Sequence, residues 1–242
     1  MKAVILLAGM GSRLAGLTAT TPKSLLPMGE TTILEQMITK LTRHGVSSIV
    51  VICGYLQEVI ERYLATTFPS VDITIVRNSE YATTNTGYSL LRAREQLEGK
   101  TFIKLDGDVV FAEQILERLV LAPGGFSYAC VDHTAVDAEV IKVQCSEDGL
   151  VLRIGNDVPV ADAVGESIGI ERIDERSTPA LFATLDAMMN EPSNHQNYYE
   201  VAYDAIVRAG EPFKALDITG SPWVEIDTAE EYERAQRLFR VP

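Results

Sequence analysis

Two apolar runs joined by one amphipathic stretch set the architecture of the first sixty residues. Lys2 to Leu7 and Ser48 to Cys53 (SIVVIC) are continuous apolar segments of strand length. Between them, Thr32 to His44 carries Ile33, Leu34, Met37, Ile38 and Leu41 at helical spacing, ending near Gly45. A strand that returns through a helix to a second strand implies parallel pairing by a right-handed crossover. The alternation continues with a helix near Gln57 to Thr66, a strand Asp72 to Val76, a helix near Tyr88 to Leu97 and a strand Thr101 to Leu105. This half is expected to be α/β with a parallel sheet.

Beyond Phe111 the pattern changes. A helix near Ala112 to Val120 precedes strands at Phe126 to Val131, Val140 to Cys145 and Leu150 to Ile154. Glu147-Asp148-Gly149 separates the last two as a hairpin turn. Gly165 to Ile173 (GESIGIERI) reads as a further strand. Helices near Pro179 to Met189 and Tyr199 to Ala209, short strands at Phe213 to Asp217 and Trp223 to Ile226, and a helix Ala229 to Phe239 follow. No repeat, low-complexity stretch or Pro/Ser/Gly-rich linker interrupts the chain. With 242 residues and 46% hydrophobic content, residues 1–242 are expected to form a single domain.

The charge balance narrows the partners. With 34 acidic against 21 basic residues, the net charge of -13 repels both a nucleic-acid backbone and an anionic membrane. A small anionic substrate would need individual Lys and Arg residues, or a metal. Cys53, Cys130 and Cys145 are odd in number and lack CxxC spacing, as expected for buried thiols in a reducing cytoplasm. The AVILLAG start superficially resembles a secretion signal, but it stops at Gly9 without a small-residue cleavage site and reads as a core strand. No apolar stretch approaches the ~18 residues of a bilayer span.

Behind the first strand lies the segment LLAGMGSRLAGLTATTPKSLLPMG. Gly9 and Gly11 allow the backbone to pass close to a ligand. The loop is neither the dinucleotide fingerprint, whose third glycine is replaced by Leu14, nor a P-loop, since no Gly-Lys-Ser/Thr follows. Arg13 and Lys23 make it cationic, and the crevice beyond the strand ends of an open α/β sheet is where a triphosphate would bind. LDGDVVF (Leu105 to Phe111) places Asp106 and Asp108 at another strand end on the same edge, where Mg²⁺ finds hard oxygen ligands; helix-capping aspartates are the alternative. In WVEIDT (Trp223 to Thr228), Asp227 either caps the last helix or joins Asp108 on one metal.

GMGSRL with PKSLLPMG, the DGD at Asp106 to Asp108 and the EID at Glu225 to Asp227 together resemble the nucleotidyltransferases that join NTPs to phosphorylated sugars and alcohols. The resemblance spans nearly the whole chain. It implies a Rossmann-like, mostly parallel mixed sheet flanked by helices, with a small antiparallel acceptor-binding part. The nucleotide-binding half would be about 1–110 and the acceptor-binding half about 111–242. By that pattern Leu7, Ala8, Gly9, Gly11 and Ser12 approach the nucleotide, and Arg13 holds the β and γ phosphates. Lys23 bridges the α-phosphate and the incoming phosphate, while Asp108 and Asp227 bind Mg²⁺. The chemistry fits, because the phosphate nucleophile is already ionised and the site must neutralise charge and align the groups rather than supply a base. The scattered His44, His133 and His195 are expected to play no part.

Asn78 to Leu91 (NSEYATTNTGYSLL), Val131 to His133, GESIGI and Tyr198 to Glu200 narrow the resemblance to cytidylyltransferases acting on phosphocholine, 2-aminoethylphosphonate or inositol phosphate. It implies CTP as donor, with Asn85, Gly87, Tyr88 and Ser89 facing base and ribose. Two departures are visible: Leu7 stands where the family has alanine, and the lysine that sugar-specific members carry close to Asn156 is absent. Trp223, Tyr198 and Glu166 are candidates for an aminated acceptor, through aromatic faces and carboxylates, or else core and rim residues. Asp106 and Lys142 are further acceptor candidates, Lys142 with solvent as its alternative. The expected function is CMP transfer from CTP to a small phosphorylated alcohol or phosphonate, in the cytoplasm. A sugar-1-phosphate or inositol-phosphate nucleotidyltransferase and a non-catalytic nucleotide-binding regulator are the competing readings; a homo-oligomer is compatible with each.

Overall fold

The computed structural model describes residues 1–134 and 136–239. Strand β1 (Lys2–Leu7) leads through a short helix α1 (Ala15–Thr18) and a small hairpin, β2 (Pro27–Met28) with β3 (Thr31–Thr32), into α2 (Ile33–Arg43). Thr32 caps α2 by accepting the Glu35 N–H, and the helix stops at Gly45, whose φ of 77° suits a residue without a side chain. β4 (Ser48–Cys53), α3 (Gln57–Thr67) and β5 (Asp72–Arg77) complete the first crossovers. Both β1 with β4 and β4 with β5 are parallel.

The single helix expected near Tyr88 to Leu97 is two, α4 (Thr86–Leu91) and α5 (Arg94–Leu97). The chain tightens between them, where the Ala93 N–H donates to the Leu90 carbonyl at 3.0 Å and fully buried Ala93 packs into the core. β6 (Phe102–Asp106) then pairs in parallel with β1. A strand absent from the sequence reading, β7 (Val109–Phe111), follows Asp108 directly.

After α6 (Glu113–Leu121) come β8 (Ser127–Asp132), β9 (Lys142–Cys145), β10 (Val151–Gly155) and β11 (Gly165–Ile173). β9 and β10 form the expected hairpin, turning at Gly149 with φ 78°. α7 (Thr178–Met189), α8 (Glu200–Arg208), β12 (Phe213–Asp217), β13 (Trp223–Glu225) and α9 (Ala229–Phe239) complete the described chain.

The result is a nine-stranded mixed sheet flanked by helices. Its parallel part runs β5-β4-β1-β6, and β11 joins antiparallel to β6, carrying β8 and β9 beyond it. Period-two alternation divides β1 between two cores. Ala3, Ile5 and Leu7 face the layer of α2, α3 and α6, while Val4 and Leu6 face that of α4, α7 and α8. Each buried aliphatic side chain contributes about 1.5–3 kcal/mol, so both faces of the sheet hold the strand ends of β1 and β6 in place. No helix among the described residues is long and apolar enough to cross a membrane.

Candidate active site

A cleft of about 1140 Å³ opens where β1 and β6 end. Gly9, Gly11, Ser12, Arg13 and Lys23 line one side. The loop is held from within: the Gly11 carbonyl accepts from Thr18 Oγ1 at 2.9 Å and from the Leu14 N–H at 3.0 Å. Gly11 has φ 60°, a backbone conformation that L side chains rarely adopt. Leu7 and Ser12 line the cleft. Ala8 is buried, with its carbonyl accepting the Tyr55 N–H at 3.2 Å.

The two cations of the loop reach the acidic strand ends. Lys23 Nζ lies 2.8 Å from Asp108 Oδ2 and 2.9 Å from Asp227 Oδ1, and Arg13 Nη1 lies 2.5 Å from Asp227 Oδ2. Burial alone would lower the Lys23 pKa, but Asp108 and Asp227 outweigh it and raise it, so the ammonium stays charged.

Asp108 and Asp227 are brought together by backbone pairing. β7 and β13 form an antiparallel ribbon with Val109 opposite Glu225, and the Ile226 N–H donates to the Asp108 carbonyl at 3.0 Å. Asp227 is not the cap of α9. Thr228 and Glu231 form a capping box: Glu231 Oε2 accepts the Asp227 and Thr228 N–H groups at 2.7 Å, and Thr228 Oγ1 accepts the Glu231 N–H. The Asp227 carboxylate is thereby left to the cleft.

Glu225, of the EID motif but with no role expected from the sequence, is a third member. Carboxylate oxygens of Asp108, Glu225 and Asp227 lie within 4.8 Å of one another. Desolvation within the cleft and then the Asp108 and Asp227 charges raise the pKa of Glu225, although the residue as a whole is exposed. Three crowded hard-oxygen donors fit a divalent cation, which would relieve that repulsion. Asp106 stands apart from this cluster, its Oδ2 accepting from Lys104 Nζ at 3.0 Å and Tyr199 OH at 2.5 Å.

The far side of the cleft is also acidic. Asp132, Asp137, Glu139 and Glu166 line it with Tyr198 and Trp223. Burial, then Asp137 and Asp132, push Glu166 up to about 7. Trp223 Nε1 donates to Asp132 Oδ2 at 2.7 Å, which fixes the indole beside the carboxylates.

Besides buried Ala8, four expected site residues do not line the cleft. Lys142 is buried with Nζ donating to the Ala138 and Val140 carbonyls at 2.9 and 3.1 Å, so its ammonium ties down the chain entering β9 instead of facing the cleft. Asn85 does line the cleft and caps α4 through Oδ1, but the residues after it turn into the helix. At Gly87 a Cβ would come within 2.8 Å of Met189 Cε and 2.9 Å of the Asn197 carbonyl, so this glycine permits packing against α7 and the following loop. Tyr88 OH donates to Glu80 at 2.5 Å, and buried Ser89 Oγ accepts from Asn78 Nδ2 at 3.0 Å. None of the three histidines lines the cleft.

Sequence reasoning also missed the charges beneath Asp106. Lys104 and Glu171 are fully buried, and Glu200 is 7% exposed. The signal was present as a lysine and a glutamate inside the apolar strands FIKLD and GIERI. Burial dominates at Glu200 and, despite Lys104, pushes it up to about 8. A folded-state pKa above the unfolded value means that the folded protein binds the extra proton between roughly pH 4.5 and 8, so this group's contribution to stability falls as pH rises through that window. Glu200→Gln is therefore expected to raise the melting midpoint more at pH 8.5 than at pH 5. In a protein of this size each kcal/mol relieved is worth about 2–4 °C. Thermal melts at the two pH values check this; equal shifts would show that Glu200 is not held protonated by burial.

The MobA-like NTP transferase domain matches residues 3–148, more than half of the chain. The chain belongs to this family. It is similar to the CMP-5'-(3-aminopropyl)phosphonate synthase of Streptomyces rubellomurinus, at 30% identity over all of this chain and 39% of the synthase. It is also similar to the choline-phosphate cytidylyltransferase of Streptococcus pneumoniae, at 25% identity over 99% of both chains. The solved structure of the CTP:phosphocholine cytidylyltransferase from Streptococcus pneumoniae superposes on the transferase with a TM-score of 0.78 and 22% identity, covering 98% of each chain. The chain thus spans well under half the length of the first of these relatives and nearly the whole of the second.

Proposed function

We propose that this nucleotidyltransferase moves CMP from CTP to a small phosphonate or phosphorylated alcohol bearing an ammonium group, releasing pyrophosphate. The observation that carries this reading is the arrangement of the cleft. Two cations and three clustered carboxylates sit beside the glycine loop at one end, and four further carboxylates with Trp223 sit at the other. The similarity to relatives named for CMP-aminopropylphosphonate and choline phosphate points the same way.

In this reading Arg13 and Lys23 turn from the carboxylates to the phosphates. Arg13, 70% exposed at its side chain, has the freedom to follow the leaving β and γ phosphates, and Lys23 spans the α-phosphate and the acceptor oxyanion. The acceptor oxygen bonds to the α-phosphorus as the bond to the α–β bridging oxygen breaks, and pyrophosphate departs with that electron pair. No proton need be removed from an ionised nucleophile, so the residues act by charge and alignment. Asp108, Asp227 and Glu225 would hold Mg²⁺, which supplies further neutralisation of the phosphate oxygens. Trp223 and Glu166 meet the ammonium, with about 0.5–2 kcal/mol from the aromatic face.

Pyrophosphate release tests the reading directly. CTP, UTP, dTTP and GTP are each paired with 2-aminoethylphosphonate, (3-aminopropyl)phosphonate, phosphocholine, inositol 1-phosphate and glucose 1-phosphate. CTP with an ammonium-bearing acceptor is expected to give the highest kcat/KM by at least about tenfold. A preference for UTP or dTTP with glucose 1-phosphate would establish a sugar-phosphate enzyme instead, and no release with any pair would support a nucleotide-binding regulator.

A further inference from the structure

Beneath the acceptor side of the cleft lies an ion network that transfer to the α-phosphate does not itself require. Lys104 has no exposed surface. Its Nζ lies 3.0 Å from Asp106 Oδ2, 2.8 Å from Glu171 Oε2 and 3.1 Å from the Gly169 carbonyl, and it also bonds Tyr199 OH, with the Tyr199 ring centroid 3.6 Å away. Tyr199 OH in turn donates to Asp106 Oδ2 at 2.5 Å.

Three elements converge to build it. Lys104 and Asp106 are two apart on β6 and share a face, and the antiparallel neighbour β11 sets Glu171 opposite Lys104. Tyr199 immediately precedes α8. The cradle around Asp106 is shaped for a carboxylate. Gly169 has φ 74°, and a Cβ there would overlap Asp106 Oδ2, so a larger residue would push the carboxylate out of place.

A buried lysine costs desolvation that an apolar side chain of similar volume would avoid. Within this network its geometric effect is to hold one oxygen of Asp106. That carboxylate lines the cleft two residues before Asp108 with its side chain 22% exposed, while its other oxygen, Oδ1, is buried without a hydrogen-bond partner. Glu200, also on the cleft wall, has an unpartnered oxygen as well. The floor is thus short of hydrogen-bond donors, while its single buried ammonium is already committed.

We propose that Lys104 is a positioning residue for the acceptor: acting with Tyr199, it holds Asp106 so that the carboxylate takes an N–H from a primary ammonium on the acceptor. The inference rests on the transfer reading above and deepens it, because a quaternary ammonium has no N–H to offer and would gain nothing from this carboxylate.

The test uses Lys104→Met, the charge-balanced double variant Lys104→Met with Glu171→Gln, and Tyr199→Phe. For each, KM is measured for CTP and for 2-aminoethylphosphonate, with phosphocholine as the comparison acceptor and calorimetric binding of both acceptors as a second readout. The double variant removes both partners of the buried pair, so it addresses positioning even if Lys104→Met alone fails to fold. The expected result is at least a tenfold rise in KM and Kd for 2-aminoethylphosphonate, a smaller rise for Tyr199→Phe, and changes within about twofold for CTP and phosphocholine. A folded double variant with unchanged binding of 2-aminoethylphosphonate would overturn the proposal. So would equal losses for CTP and both acceptors, the mark of a merely structural role. If the wild-type protein binds 2-aminoethylphosphonate but releases no pyrophosphate, the transfer reading falls while positioning is still decided by Kd. Absence of any 2-aminoethylphosphonate binding by the wild type overturns the positioning role itself.

Discussion

Asp108→Asn is expected to cut kcat for pyrophosphate release by about 10²–10³-fold, with the melting midpoint changed by no more than a few degrees. The two effects separate because of where the residue sits. Asp108 is partly exposed at the mouth of the cleft, and its backbone is fixed by the ribbon that follows it and by the Ile226 N–H, neither of which the substitution touches. Asparagine keeps the shape and removes the charge. The cluster with Asp227 and Glu225 then loses a hard anionic ligand, and Lys23 loses one of the two carboxylates that hold it. Lys23→Ala should cost a similar factor by removing a cation from the reacting phosphates. A coupled pyrophosphate assay with thermal melts checks both variants, and a near-wild-type rate in either would remove that residue from the machinery.

Gly107→Ala is expected to damage stability and rate together. Gly107 lies between Asp106 and Asp108, and its N–H donates to the Leu6 carbonyl at 3.1 Å. A Cβ there would lie 2.6 Å from that same carbonyl oxygen and overlap Leu7 Cδ2. The Leu7 side chain can be shortened, but the Leu6 backbone cannot move without disturbing β1. Overpacking of this kind costs about 1–3 kcal/mol, equivalent to roughly 2–12 °C in a protein of this size. Because the displaced segment carries Asp106 and Asp108, kcat should fall by at least about tenfold as well. Combining the change with Leu7→Ala should recover part of the stability and little of the rate. Full recovery of both would show that only the leucine side chain was in conflict.

Features that depend on nearest neighbours in the chain were legible beforehand. The apolar runs of β1 and β4, the helical spacing of α2 and the Gly149 turn each arise within a dozen residues, where burial and backbone conformation act locally. Arg13, Lys23, Asp108 and Asp227 were recognisable because their motifs lie at strand ends, and the structure does bring them within ion-pair distance. What was missed depends on direction or on distant partners. Lys142 could face either side of its strand, and only the tertiary fold shows its ammonium bonded to two nearby carbonyls. Gly87 looked like a ligand approach, whereas its missing side chain makes room for Met189 and Asn197, more than a hundred residues away. Lys104 and Glu171 went unnoticed as charges inside apolar strands, and their pairing needs the antiparallel register of β6 with β11.

The ribbon of β7 with β13 separates the stretch that identifies the family from the stretch that can do chemistry. The family match ends at residue 148, yet Asp227 and Glu225 arrive only through the hydrogen bonds that zip Trp223–Glu225 onto Val109–Phe111. A fragment cut at the end of the match would keep the glycine loop, Lys23 and Asp108 while losing two of the three clustered carboxylates, along with Glu166 and Trp223. The matched stretch is therefore smaller than the cleft it helps to line. Trp223, Glu225 and Asp227, remote in sequence from the glycine loop, line the same cleft.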